Sequence, residues 1–247
     1  MTVIFDGRAM AWEIEDKVRG KAAKMGRRPR LVSFFDPADA GSVAYTKIKG
    51  RKAEELGMGF EKIQSSNYTN SQIKAKIRSL NADPGVDGVM IQLPFPDSAE
   101  LIGEIAPEKD VDGLRADSLF MPATVRAVME ILKLAGGEDK KIVIVGNKGE
   151  VGGRLQKILH CQGMGKDDFD PAALLGAEVI ISATGQAGLI TPQMVRDGVV
   201  AIDVGYPRGD FDPAVANIAA FFTPVPGGVG PVTVAMLFAN LVRLTGE

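Results

Sequence analysis

What most constrains this chain is an alternation repeated along its length. Apolar runs of strand length are each followed by a stretch with apolar residues at helical spacing. "PRLVSFF" (29–35) reads as a buried strand, and 42–57, "SVAYTKIKGRKAEELG", as a helix with a serine near its start and a glycine at its end. "MGFEKIQSS" reads as a second strand and "NSQIKAKIRSLNADPG" as a second helix. "VDGVMIQLPFP" is a third strand that stops at Pro94 and Pro96. After a helix over about 123–135 the pattern restarts at 140–159, "KKIVIVGNKGEVGGRLQKIL". There an apolar run breaks into a glycine-rich turn and resumes as a helix. "AEVIISATG" and "VVAIDVGYP" follow as strands ending in glycine, and the chain closes on a helix, "VTVAMLFANLVRLTG". Strands joined through helices run parallel, with the helices packed on the sheet faces. The expected class is therefore α/β. At 247 residues the chain suits two modest lobes. The natural division assigns 1–114 plus 232–247 to one and 115–231 to the other.

The bulk numbers narrow the function. A net charge of −2 offers no electrostatic argument for a nucleic-acid or anionic-membrane partner. The longest apolar stretches are too short to span a bilayer. The first twenty residues carry early acids and no apolar core, so no signal peptide is expected. Cys161 is the one cysteine and His160 the one histidine. An internal disulfide and a zinc site built on His/Cys clusters are both excluded, and a reducing, cytoplasmic compartment fits best.

Four segments carry candidate chemistry. Tyr45 and Lys49 lie four residues apart on a helix, so phenol and amine share a face. For an isolated Y-x-x-x-K the plainer account is a solvated amphipathic helix. Short-chain dehydrogenases use the same spacing, but there the glycine-rich turn comes first, whereas here it follows by about a hundred residues. Gln92 stands where an apolar strand ends, and parallel sheets hold ligands at the carboxyl ends of their strands. It is equally readable as a satisfied structural amide. In "PEKDVDGL", Asp110 and Asp112 bracket a valine before Gly113, a turn expected to send one carboxylate inward; a turn-stabilising aspartate is the ordinary alternative. "TPVPGGVGPVT" combines stiffness from proline with close backbone access from glycine.

These segments, in this order, resemble the bifunctional methylenetetrahydrofolate dehydrogenase/methenyltetrahydrofolate cyclohydrolase family. "SVAYTKIKGRKAEELG" is similar to its S-x-x-Y-x-x-x-K helix, "DGVMIQLPFP" to its D-G-x-x-V-Q-L-P-L-P strand, and "PEKDVDGL" to its P-x-K-D-V-D-G turn. "TPVPGGVGPVTVAML" matches P-V-P-G-G-V-G-P-x-T almost unchanged. The likeness runs from about residue 3 to 244. It implies an N-terminal folate-binding catalytic lobe, a shortened Rossmann-like lobe for NADP or NAD, an active-site cleft between them, and a homodimer. Lys49 would be the catalytic lysine, Tyr45 its neighbour against the folate, and Gln92 the amide that positions and tunes the lysine. Asp112 would bind the pterin, with Pro226, Gly227 and Gly228 bordering substrate. Gly146, Asn147, Lys148, Val151, Gly152, Thr184, Gly185 and Gly228 would meet the cofactor.

The second lobe departs from the family. Its turn, V-G-R-S-x-x-V-G-x-P in the family, reads V-G-N-K-G-E-V-G-G-R here. Gly146, Val151 and Gly152 keep their places, but Asn147 and Lys148 replace an arginine and a serine that help hold phosphates. Lys148 offers a flexible point charge instead of a planar fork, and Glu150 adds a negative charge. Between Leu159 and Ala177, "HCQGMGKDDFDPAALLG" shows no strand-like run where the family has a strand ending in C-H-S-x-T. Asp167 and Asp168 fall about twenty residues beyond Gly146, where NAD-binding folds place a ribose-binding acid. That acid normally follows a strand and this segment reads as a solvated loop. Cyclohydrolase activity alone, or folate binding without catalysis, are the rival expectations.

Overall fold

The computed structural model describes residues 1–243. In chain order the elements are β1 (Val3–Ile4), α1 (Gly7–Ala22), β2 (Arg30–Phe35), α2 (Ala40–Glu55), β3 (Gly59–Gln64), α3 (Asn70–Ala82), β4 (Gly88–Ile91), α4 (Ser98–Glu104), α5 (Ala123–Leu134), β5 (Ile142–Val145), α6 (Glu150–Leu159), β6 (Gln162–Met164), α7 (Pro171–Leu175), β7 (Val179–Ser182), β8 (Val200–Asp203), β9 (Phe221–Phe222) and α8 (Val229–Leu241). Every strand pairing is parallel, as strands separated by helices require. The chain forms two compact units, and it passes between them inside α1, at the start of α5 and inside α8.

The small-sheet unit holds Trp12–Ala123 and the chain from Val234. Its strands lie in the order β3-β2-β4. β2 is central and buried along nearly its whole length, which is why "LVSFF" is almost unbroken apolar sequence. Val32, Phe34, Val89 and Ile91 from the sheet pack with Ile73, Ile77 and Leu80 of α3 and Leu101 of α4. The apolar spacing of α3 supplies that face. Thr69 and Gln72 close a capping box that fixes where α3 begins. In α2 the N-cap is Asp39, whose carboxylate accepts from the Ser42 amide at 2.6 Å.

The large-sheet unit holds Met1–Ala11 and Thr124–Thr233. Its six strands run β1-β9-β8-β7-β5-β6. From β5 the chain steps outward to β6 and then crosses back to β7 on the other side, so strand order reverses at β5. The core gathers Val143, Val145, Ile180, Ala201 and Phe222 from the strands with Leu174 of α7.

Two expectations change. The grouping of residues 1–114 differs at the N-terminus. Val3 and Ile4 pair with Phe221 and Phe222, and that register ties the first eleven residues to the large sheet. The first unit also continues to Ala123 rather than ending at 114; the expected 232–247 return reaches past Arg243, and its last four residues lie outside the described residues. Second, the segment between Leu159 and Ala177 does contain a strand. Gln162, Gly163 and Met164 pair with Val143, Ile144 and Val145. Three residues on a sheet edge, with only Met164 apolar and deeply buried, leave no periodic signal in the sequence.

Candidate functional site

In the small-sheet unit, α2 and the end of β4 bring Lys49 and Gln92 together. Lys49 is 5% exposed, and its Nζ donates to Gln92 Oε1 at 2.8 Å, with Met90 Sδ at 3.8 Å. Gln92 is itself buried, and its Nε2 donates to the Leu93 carbonyl at 3.0 Å. That second bond settles the amide's orientation, so the face it turns to the lysine is an acceptor. Met90 and Gln92 sit on alternate positions of the β4 strand and its continuation, so one sheet face supplies both neighbours of the amine. Burial pushes the Lys49 amine below the ordinary lysine range, and Asp112 opposes that push. Asp112 is half-buried, and desolvation raises its carboxyl above the ordinary range, with Lys49 pulling it down and Asp110 pushing it up. The two aspartates of the turn divide their work. Asp110 is 1% exposed and accepts from the Arg115 amide at 2.8 Å, which makes it the inward, turn-holding carboxylate. Asp112 is the one coupled to the lysine. Tyr45, one helical turn from Lys49, is half-buried.

A buried amine with a lowered pKa, held by an acceptor, is a base in waiting. Gln92 Oε1 can only accept, so when the amine is neutral it engages one N–H. The nitrogen lone pair then stays available to take a proton from elsewhere.

In the large-sheet unit, the glycine-rich turn leaves the carboxyl end of β5. Gly146 has φ +95°, and a Cβ there would stand 2.5 Å from the Ala183 carbonyl oxygen; one on Gly152 would stand 2.3 Å from that of Gly146. Strand, turn and α6 therefore approach so closely that only glycine fits at both places. Val151 and Gly152 lie in the first turn of α6, whose free amides form an anion-favouring end. Asn147 donates through Nδ2 to Gln156 at 3.2 Å, while its Oδ1 is buried without a partner. Lys148 pairs with Asp167, Nζ to Oδ2 at 2.9 Å, and the aspartate raises the lysine's pKa. Thr184 and Gly185 follow β7 on the neighbouring strand end, and a Cβ on Gly185 would meet open space. A glycine turn at a reversal of strand order, leading into a helix whose first amides are free to donate, fits a dinucleotide pyrophosphate in a doubly wound sheet.

Pro226, Gly227 and Gly228 also belong to this unit, in the loop from β9 to α8. The Gly228 amide donates to the Pro224 carbonyl at 2.7 Å. Sequence reasoning did not reach what fixes this loop and the Thr184 turn. Gly7 starts α1 against the loop, its amide donating to the Gly227 carbonyl at 3.0 Å; a Cβ on Gly7 would fall 1.9 Å from the Gly228 oxygen. Asp210 is fully buried and accepts from Ser182 Oγ at 2.7 Å and from the Thr184 amide at 2.6 Å, leaving Oδ1 without a partner. Asp203, raised by burial, accepts from the amides of Gly205, Asp210 and Phe211. A buried aspartate after an apolar strand, as in "VVAIDVG", was the available signal for Asp203.

Comparison with known proteins agrees with both units. Residues 5–112 match the family model described as tetrahydrofolate dehydrogenase/cyclohydrolase, catalytic domain, and 122–247 match that family's NAD(P)-binding domain. The "Bifunctional protein FolD" of Bordetella avium is 35% identical over 97% of this chain and 96% of its own. A crystal structure of the bifunctional FolD methylenetetrahydrofolate dehydrogenase/cyclohydrolase from Campylobacter jejuni superposes with a TM-score of 0.90 at 30% identity, covering 98% of each chain. The Trypanosoma brucei methylenetetrahydrofolate dehydrogenase-cyclohydrolase, solved with NADP and an inhibitor, reaches 0.87 at 28% identity over 97% of this chain and 96% of its own. With a catalytic-domain match across the Lys49–Gln92 unit and an NAD(P)-binding match across the glycine turn, the chain belongs to the tetrahydrofolate dehydrogenase/cyclohydrolase family.

Proposed function

We propose that this protein oxidises 5,10-methylenetetrahydrofolate to 5,10-methenyltetrahydrofolate with NAD(P), and hydrolyses that product to 10-formyltetrahydrofolate. The observation that carries the reading is the buried Lys49 amine on Gln92 Oε1 at 2.8 Å, with burial favouring its neutral form.

The hydrolytic substrate is a cation, so its charge disfavours a protonated Lys49 nearby and favours the neutral amine. Neutral Lys49 takes a proton from a water as the water oxygen bonds to the methenyl carbon. The bond from that carbon to N5 then breaks, the lysine's proton passes to N5, and the carbonyl forms as the hydroxyl proton leaves to solvent. Gln92 keeps the amine in place through the cycle, since an amide neither supplies nor removes a proton at this pH. Asp112 accepts N–H donors from the edge of the pterin, and Tyr45 packs its ring against the folate. For the oxidation, the dinucleotide supplies the hydride acceptor. Gly146, Val151, Gly152, Thr184 and Gly185 would hold it, and Pro226–Gly228 offer backbone that substrate and ring can approach. The Trypanosoma brucei relative's complex with NADP supports this half. Within this reading the protein works as a cytoplasmic homodimer. Among the described residues, no helix is long and apolar enough to cross a membrane.

The test is direct. Purified protein is given methenyltetrahydrofolate alone, and methylenetetrahydrofolate with NAD or NADP. Hydrolysis no faster than in buffer sinks the hydrolytic half, and absence of reduced dinucleotide sinks the oxidative half. A binding-only homologue predicts tight folate binding with neither activity; the retained lysine–amide contact argues against it.

A further inference from the structure

The strand β6 changes what the two acids after it can do. Met164 ends β6 beside Val145, the last residue of β5, and its carbonyl accepts from the amides of Gly146 at 2.8 Å and Asn147 at 3.2 Å. The glycine turn and the loop that leaves β6 are thus tied at one point. From there Gly165 donates to Asp168 Oδ1 at 2.7 Å, which closes the loop on itself. A Cβ on Gly165 would stand 3.1 Å from Lys148 Cδ, so the lysine stem runs along this glycine before its Nζ meets Asp167 Oδ2 at 2.9 Å. A residue of the turn and an acid at the carboxyl end of the adjacent strand therefore form one ion pair. This is the place, one strand from the pyrophosphate turn and about twenty residues on, where a carboxylate accepts the two hydroxyls of an adenosine ribose.

We propose that Asp167, held by Lys148 at the end of β6, reads the ribose diol and makes this protein select NAD over NADP. The inference rests on the large-sheet unit being the dinucleotide site. A 2′-phosphate brings close to two negative charges to the same position. The charges there balance, Lys148, Arg154 and Lys166 against Glu150, Asp167 and Asp168, with Lys148 already engaged by Asp167 and Arg154 by Glu150 at 3.6 Å. Asn147, the other polar side chain of the turn, is uncharged and donates inward to Gln156. A diol suits that charge balance, because it donates two hydrogen bonds to a carboxylate and brings no charge of its own.

Calorimetric titration of the full chain with NAD+ and with NADP+, in the absence of folate, reads the selectivity without reading turnover. The wild type is expected to bind NAD+ at least tenfold more tightly. Asp167→Asn, a change of charge at an exposed position, is expected to lower the NAD+/NADP+ preference at least tenfold, by weakening NAD+ and strengthening NADP+. The melting temperature should stay unchanged. NADP+ binding as tight as NAD+ in the wild type, an identical preference in Asp167→Asn, or binding of neither dinucleotide would each overturn the inference. Hydrolysis of methenyltetrahydrofolate is measured beside it. If hydrolysis persists while neither dinucleotide binds, the inference fails and the hydrolytic reading stands. If NAD+ selectivity appears without hydrolysis or folate binding, the inference stands and the folate reading fails.

Discussion

Gln92→Glu puts a carboxylate where an amide oxygen now accepts from Lys49 at 2.8 Å. The replacement is nearly isosteric, so its main effect is electrostatic. At that separation and an effective permittivity of about 20, opposite unit charges attract by about 6 kcal/mol. Burying a second ionised group offsets several kcal/mol of this. A net preference of about 1–3 kcal/mol for the protonated amine remains, which is about one to two pKa units upward. The lone pair needed to take a proton from water then appears only at higher pH. At a fixed pH on the acid limb, the hydrolytic rate should fall about ten- to a hundredfold. Gln92→Met gives the opposite sign. It removes the acceptor without adding charge, and because an acceptor favours the charged amine most, the pKa should fall further. The assay is the initial rate of methenyltetrahydrofolate hydrolysis against pH, corrected for buffer, for all three proteins. A midpoint that moves alkaline in Glu and acidic in Met is expected. Midpoints that coincide, or that move together, would refute Lys49 as the titrating base. Gln92 Nε2 also donates to the Leu93 carbonyl, and the carboxylate loses that bond at a cost of about 1–3 kcal/mol. Melting temperatures taken alongside separate lost fold from lost base.

Lys49→Met should abolish hydrolysis while folate binding stays measurable by calorimetry; equal rates for wild type and variant would sink the catalytic assignment. The same variant carries a stability signature. Lys49 has a lowered pKa in the folded state, so between that value and the ordinary 10.5 the unfolded chain holds a proton that the folded chain does not, and wild-type stability rises with pH across that window. Urea midpoints followed up the alkaline range should show the rise in wild type and lose it in Lys49→Met. Asp210→Ala leaves Ser182 Oγ and the Thr184 amide without their acceptor, a loss of about 2–4 kcal/mol and about 5–15 °C in melting temperature. NAD(P) binding should weaken with it, and unchanged melting and binding would remove Asp210 from the support of that turn. Gly7→Ala forces a methyl into the Gly228 carbonyl, 1.9 Å from where it would sit, so a loss of about 1–3 kcal/mol or more is expected in thermal unfolding; an unshifted melting temperature would show the loop free to move.

The parts of the molecule that sequence made legible are those whose physics is local. β2, β5, β7 and β8 are buried on both faces, so their composition alone marks them as parallel strands. Lys49 with Tyr45 is legible because four residues on a helix share a face. Gln92 is legible because an amide at an apolar strand end demands a partner. That the partner is Lys49, 43 residues earlier, comes only from α2 packing on the sheet. β1 and β9 are two residues each and have meaning only through their pairings, β1 with β9 and β9 with β8. β6 hid for the same reason: its register comes from β5, and two of its three side chains carry no apolar signal. Asp210 reads in sequence as a loop acid in "PRGDFD", and its burial follows from a turn that folds it back onto Ser182 and Thr184.

The departures from the family pattern gather in the large-sheet unit, while the groups proposed for hydrolysis all lie in the other. Lys49, Gln92, Asp112 and Tyr45 take their positions from α2, β4 and the turn at 110–113, and none of their hydrogen bonds described above draws on the glycine turn or on β6. Substitutions in the turn can therefore change the dinucleotide without disturbing the amine. Asn147, Lys148 and the shortened β6 then need not be signs of decay. Gly146 and Gly152 keep contacts that no larger residue permits, so the close approach of strand, turn and the start of α6 is intact. The strand stub ties the glycine turn through the Met164 carbonyl and carries Asp167 to Lys148. A turn that keeps its glycines and exchanges phosphate-binding side chains for an aspartate-bearing loop is better explained by a changed nucleotide than by a lost one.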